Sequence, residues 1–194
     1  MLRDVADSSF YIFFYTDIQT PKSLYLILKH YNFIIGKQIK KEISQYILKD
    51  DAIKNLVSDV TIQMDYIRLL KDFYNFLIKI HPEIKSSIDD GEWEAIGISY
   101  LLHEQNELRH IIIDDKKARN FIQNRLTTLL PYLQWTVQFL FTACVKDNKI
   151  SKDLVLDICY RIREEITKGR SPLFITSDHW QKNVEPNIKK MEGD

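Results

Sequence analysis

The chain has 194 residues, enough for one domain with an addition, and its 45% hydrophobic and 28% charged residues are a globular balance that can bury a core. The formal net charge is zero, so no bulk field draws the chain to nucleic acid or anionic lipid, and phosphate binding must come from local basic patches. Cys144 and Cys159 lie in apolar segments without metal-ligand spacing, which excludes a disulfide framework and leaves them as small buried hydrophobes in a reduced, cytoplasmic protein.

The charged start MLRDVADSS carries no secretory leader, and the most apolar stretch, Trp135 to Val145, is too short to span a bilayer, so no membrane partner is expected. Five glycines and five prolines predict much helix and short connections. Arg3 to Ala6 reads as a strand ending at Asp7, with Ser8 and Ser9 opening a short buried helix through the aromatic run Phe10 to Tyr15. Pro21 starts another helix whose apolar face includes Leu24, Ile27 and Leu28. Phe33–Ile35, closed by Gly36, is a candidate buried parallel strand. Helix resumes near Gln38 and carries Glu42.

Ala52 to Ile80 is helical by period, with Ile67, Leu70, Phe73, Tyr74 and Leu77 near one face, and Pro82 interrupts it. Asp89-Asp90-Gly91 precedes a helix with Trp93, Ile96, Tyr100 and Leu101 as its core stripe. His110 to Ile113 is the clearest strand, β-branched and stopping at Asp114-Asp115. Lys116 to Arg125 is helical again. His103 and His110 flank the helix–strand connection and are expected at the surface. After Pro131 the chain reads as wholly helical: Trp135 to Lys146, then Ser151 as N-cap of a helix to about Lys168, Gly169 as its stop, and a polar helix over His179 to Met191. Short strands alternating with helices predict an α/β fold with a mainly parallel sheet over residues 1–130 and a C-terminal α-helical extension over 131–194.

Ligands of a parallel sheet bind at the carboxyl ends of its strands. Asp7 ends the first strand, and Asp114, with Asp115 beside it, ends the strand of Ile111–Ile113. Glu42 follows the Phe33–Ile35 strand, and Glu92 or Glu94 lies in DDGEWEAI. Gathered carboxylates repel and are costly to desolvate, so a fold that collects them needs a cation. Hard oxygen ligands suit Mg²⁺ or Mn²⁺, which activate water and offset charge on a phosphate. Each acid also has an ordinary alternative: Asp7 as a loop or N-cap acid, Glu42 as a solvated helix charge, Asp115 as a cap, and Asp89, Asp90 and Glu92 as partners of a helix dipole.

The strings VADSSFYIFF, IIGKQIKKEI, GEWEAIGIS and IIIDDKKARNF, in that order, resemble the motifs of PIN-domain proteins, especially the subgroup with a glycine–glutamate–x–glutamate–alanine motif that is similar to the nuclease toxins of bacterial toxin–antitoxin pairs. The resemblance spans roughly Val5 to Arg125, and TACVKDNKISKDLVLDI and RSPLFIT resemble the subgroup's C-terminal extension. It implies a three-layer PIN-like fold and a Mg²⁺- or Mn²⁺-dependent ribonuclease that cuts RNA phosphodiester bonds, with an antitoxin protein or a second copy of the chain as further partners. Position by position, Asp7, Glu42, Glu94 and Asp114 match the four acids, with Asp115 as a further metal ligand. Ser8 or Ser9 matches the small hydroxyl residue after the first acid, and Glu92 is supporting. The third acid departs from the aspartate of most members. Lys41, Lys116 and Arg119 flank the acids as candidate phosphate contacts. Two other readings carry different expectations: a PIN-like module that binds RNA or protein without cutting, and a helical interaction protein with no strands. Histidine pairs for zinc, a Gly-rich phosphate loop and a GxSxG element are all missing from the sequence.

Overall fold

In the computed structural model, which describes residues 1–46, 51–59, 64–87 and 90–193, the short apolar runs form one parallel sheet. Its strands are β1 (Arg3–Ala6), β2 (Phe33–Ile35), β3 (Val57–Asp59), β4 (Leu108–Ile112) and β5 (Leu133–Gln134), in the spatial order β3-β2-β1-β4-β5. Every pairing is parallel. The three inner strands, β2, β1 and β4, are covered on both faces and so are buried along almost their whole length, without the alternation of a half-exposed strand.

Helices connect the strands: α1 (Ser8–Thr16) and α2 (Pro21–Leu28) after β1, α3 (Lys37–Ile43) and α4 (Asp51–Lys54) after β2, α5 (Met64–Ile80) and α6 (Gly91–Glu104) after β3, and α7 (Lys116–Arg125) after β4. Then come α8 (Thr136–Val145), α9 (Lys152–Thr167), α10 (Ser177–Asn183) and α11 (Glu185–Glu192). The result is a three-layer α/β fold with a helical C-terminus. Phe10 of α1 meets Phe33 of β2 and Phe139 of α8 at ring-centroid distances of 5.3 and 5.9 Å, so the C-terminal helices share the aromatic core of the sheet. α6 packs on β1 and β4 and under α5, and buried residues surround it on every side. Gly97 permits this: a Cβ there would meet Leu70 and Tyr74 of α5.

Five expectations change. Ala52 to Ile80 is not one helix: α4, the edge strand β3 and α5 divide it, and residues 60–63 lie outside the described residues, as does Asp89. Ile67 is 53% exposed, because α5 turns Phe73 and Leu77 inward instead. The chain after Pro131 is not wholly helical, since β5 adds to the edge of β4, and the sheet is therefore completed beyond the expected 130/131 division. The last helix is two, α10 and α11, with Pro186 at the start of the second, where its missing N–H has no partner to lose.

His110 is buried rather than at the surface. Its Nδ1 lies 3.0 Å from Asp4 Oδ1, and Arg109 Nε donates to the same oxygen at 2.8 Å. Burial pushes the Asp4 carboxyl up, but Arg109 and His110 outweigh it and hold the group below its ordinary value. This network ties β1 to β4 near their amino ends, opposite the edge where Asp7 lies.

A candidate site at the carboxyl edge of the sheet

The strand order reverses direction at β1 and β4: the chain runs outward from β1 to β2 and β3, then returns to β4 and β5 on the other side. The carboxyl ends of β1 and β4 therefore flank the topological switch point, where connecting helices diverge and leave a crevice. Asp7 follows β1 and Asp114 lies just past β4, so the two strongest strand-end acids fall on either side of it. α1, α3, α6, α7 and α8 all begin near this edge, and the partial positive charge of their first turns favours carboxylates there.

Asp7 is fully buried and is also the N-cap of α1. Its Oδ1 accepts from Ser9 Oγ (2.5 Å) and Phe10 N (3.1 Å), and its Oδ2 accepts from Asp114 N (3.2 Å). Asp114 is held by the start of α8: Thr136 N donates to Oδ1 at 3.0 Å and Thr136 Oγ1 to Oδ2 at 2.5 Å. Burial raises both carboxyls well above the ordinary carboxylate range, and the Asp114 charge raises Asp7 further. Arg119 acts the other way on Asp114.

Glu42 and Glu92 complete the acidic edge. Glu42 Oε1 accepts from Gly91 N at 3.1 Å and from Gln38 Nε2 at 2.7 Å. A Cβ at Gly91 would collide with the Glu42 carboxylate and crowd Ser8 Oγ, so the first residue of α6 must be glycine for this approach. The Glu92 carboxyl is pushed up by burial and by the charges of Asp7, Asp115 and Glu42 together. Asp115 caps α7, accepting from Ala118 N at 2.7 Å, so its expected capping role and its place among the acids coexist.

Glu94, the third acid expected from the sequence, is turned elsewhere. Its Oε1 accepts from Gln38 N (3.0 Å) and its Oε2 from Ile39 N (2.8 Å), so both oxygens close the first turn of α3. Gly36 makes room for it, because a Cβ there would overlap the Glu94 carboxyl group. Two residues away on α6, Glu92 faces the other acids and has the surroundings expected of Glu94. Ser9 binds Asp7 directly, while Ser8 sits beside Gly91. Lys41 and Lys116 are exposed, and Arg119 lies on the wall of a cavity beside Asp114 and Asp115.

Thr136 and Asp4 are not among the residues the sequence singles out. A threonine opening a helix directly after a strand is a recognisable signal for Thr136. Asp4 had none, since a single acid inside a four-residue strand shows its partners only after folding. Among the described residues, none of Asp7, Glu42, Glu92, Asp114 and Asp115 forms an ion pair. Hard carboxylate oxygens without a paired cation fit Mg²⁺ or Mn²⁺ by donor chemistry. Their present geometry is not a closed ligand shell: among the described residues no three Asp, Glu, His or Cys side chains converge into a metal-holding group. No helix of the described residues is long and apolar enough to cross a membrane. Comparison of the chain with protein families, with curated proteins and with solved structures finds no match.

Proposed function

We propose that this protein is a Mg²⁺- or Mn²⁺-dependent nuclease of the PIN-like kind that hydrolyses RNA phosphodiester bonds. The observation that carries the reading is the gathering of Glu42, Glu92 and Asp115 around the buried Asp7–Asp114 pair, at a sheet switch point and with no ion-paired cation among the described residues. Asp7, Glu42, Glu92 and Asp114 would hold the ion, with Asp115 at its margin. Glu92 replaces Glu94 in this set because Glu94 spends both oxygens on α3. When bound, such an ion lowers the pKa of a coordinated water and offsets charge on the phosphate.

The chain's own groups supply the rest. Thr136 fixes both oxygens of Asp114, so its orientation is set before substrate arrives. Ser9 Oγ and Phe10 N hold one oxygen of Asp7, and the Asp114 N–H holds the other. Arg119, whose planar fork suits a phosphate, and Lys116 stand beside Asp114 and Asp115 to take phosphate oxygens, and Lys41 extends the basic rim. The resemblance to toxin nucleases adds a role in the cytoplasm as the toxin of a toxin–antitoxin pair, restrained by a protein partner.

A second reading is a PIN-like module that binds RNA or protein without cutting. It is favoured by the absence of a converged metal group among the described residues and by the protein donors already on Asp7 and Asp114. The deciding experiment incubates an RNA panel with the wild type and Asp7→Asn, with Mn²⁺ and with chelator. The nuclease reading predicts cleavage by the wild type with Mn²⁺ only, and a fall of orders of magnitude in Asp7→Asn. Binding without cleavage at every Mn²⁺ concentration would establish the module instead.

A further inference from the structure

Beside the acids lies a cavity of about 520 Å³, within the range of small-molecule sites. Asp114 and Asp115 form one end and Arg119 a wall, while Trp135, Phe174 and His179 supply aromatic surface. Trp135 and His179 are stacked, with ring centroids 5.0 Å apart and planes at 30°. Arg119 Nε is buried without a hydrogen-bond partner among the described residues, so a donor of a permanently charged group is left unused here.

The aromatic wall is unusual in its backbone. Leu173 and Phe174 both adopt left-handed conformations, with φ of 51° and 58°. That region disfavours side chains with a Cβ, and two such residues in succession need a reason. Leu173 is buried, which anchors the turn, while Phe174 is 73% exposed. The turn thus holds an exposed phenyl ring in the lining of a cavity that also carries the unpartnered Nε of Arg119. An inorganic anion would use Arg119 and leave the rings idle, and a purely apolar ligand would leave Arg119 unpaired. A nucleotide uses both, through its phosphate and its base.

We infer that this cavity seats one unpaired nucleotide of the substrate strand, with its phosphate on Arg119 and its base against Phe174 and the Trp135–His179 pair. Base–aromatic stacking is tolerant of sequence and requires the base to leave its helix, so the strand recognised is single-stranded. Asn120 and Gln123, on the same wall, offer amides to a base edge. The role of the seat in cleavage rests on the nuclease reading; its binding of a nucleotide does not.

The test titrates the full chain with a short labelled oligoadenylate, as RNA and as DNA, in chelator so that no cleavage intervenes, with the same strand annealed to its complement as the paired control. Both single strands should bind more tightly than the duplex, and preference between them assigns the seat to a ribo- or a deoxyribonucleotide. Phe174→Ala should weaken single-strand binding roughly tenfold, the loss of one base–aromatic stack, with an unchanged melting temperature and unchanged duplex binding. Arg119→Gln should weaken binding of both strand forms. Single-strand affinity equal to wild type in both Phe174→Ala and His179→Ala would overturn the seat. The two readings fail separately. Stacking-dependent binding without cleavage in Mn²⁺ would remove the nuclease and keep the seat; cleavage with an unchanged KM in Phe174→Ala would keep the nuclease and remove the seat.

Discussion

Glu92 and Glu94 show how position on a helix decides what a carboxylate does. They lie two residues apart on α6, so their side chains point in different directions. Glu94 accepts two backbone N–H groups of α3, and removing one such charge-assisted bond from a buried site costs about 1.5–3 kcal/mol. Glu94→Gln should therefore lower stability by about 2 kcal/mol, read as a shifted denaturation midpoint, since its amide presents a donor to a donor. Glu92→Gln removes a charge that Asp7, Asp115 and Glu42 all repel. It should leave metal-free stability equal or higher while abolishing most cleavage. Reversed phenotypes would return the third acidic position to Glu94. The sequence could not separate the pair: both are glutamates at the start of a helix, and only the N–H groups of α3, some fifty-five positions away in the chain, distinguish them.

At the scale of elements, β1 and β4 carry opposite electrostatics at their two ends. Asp4, near the amino end, is held below its ordinary value despite burial, because Arg109 and His110 pair with it. Its contribution to stability is present above the ordinary carboxyl range and is lost as pH falls through its lowered value. Asp7 and Asp114, past the carboxyl ends, are raised by burial, and Asp7 further by the charge of Asp114. The folded state keeps their protons longer than the unfolded chain, so stability declines as pH rises from the ordinary carboxyl value of 3.8 toward neutrality. Metal-free protein should accordingly melt at its highest temperature in mildly acidic solution. Asp7→Asn should flatten the decline toward neutrality and leave the acid limb, which belongs to Asp4, in place. A wild-type melting temperature that rises steadily between mild acid and neutral pH would refute this assignment. These elements were unequally legible. β2 announces itself as an unbroken apolar run, β4 by its β-branched end from Ile111, and α6 by its stripe. β3 and β5 are three- and two-residue edges with half-exposed side chains, whose pairing is set by the strands already beside them and not by local pattern.

The whole molecule reconciles these opposing demands by layering. The aromatic core shared by α1, β2 and α8 fixes the sheet, and α8 carries Thr136 to Asp114 as part of the same packing. The C-terminal helices, expected from the sequence as an extension, thereby contribute to the site: Thr136 orients an acid, and the segment from Pro172 to His179 walls the adjoining cavity. What was legible was the order of the acids along the chain and their attachment to strand ends. What was not was the contribution of residues beyond 130, because contacts between the ends of a chain leave no local signature. The central claim is that the acids at the carboxyl edge are held for a divalent cation, and the most direct measurement is the melting temperature at neutral pH as Mn²⁺ is added. Ligand binding to the folded state alone adds about 2.7 kcal/mol at a hundredfold excess over Kd, or roughly 5–10 °C for a chain of this size. The wild type should show that rise, and Asp7→Asn should begin higher and gain little. A wild-type melting temperature unmoved by saturating Mn²⁺ and Mg²⁺ would contradict the account.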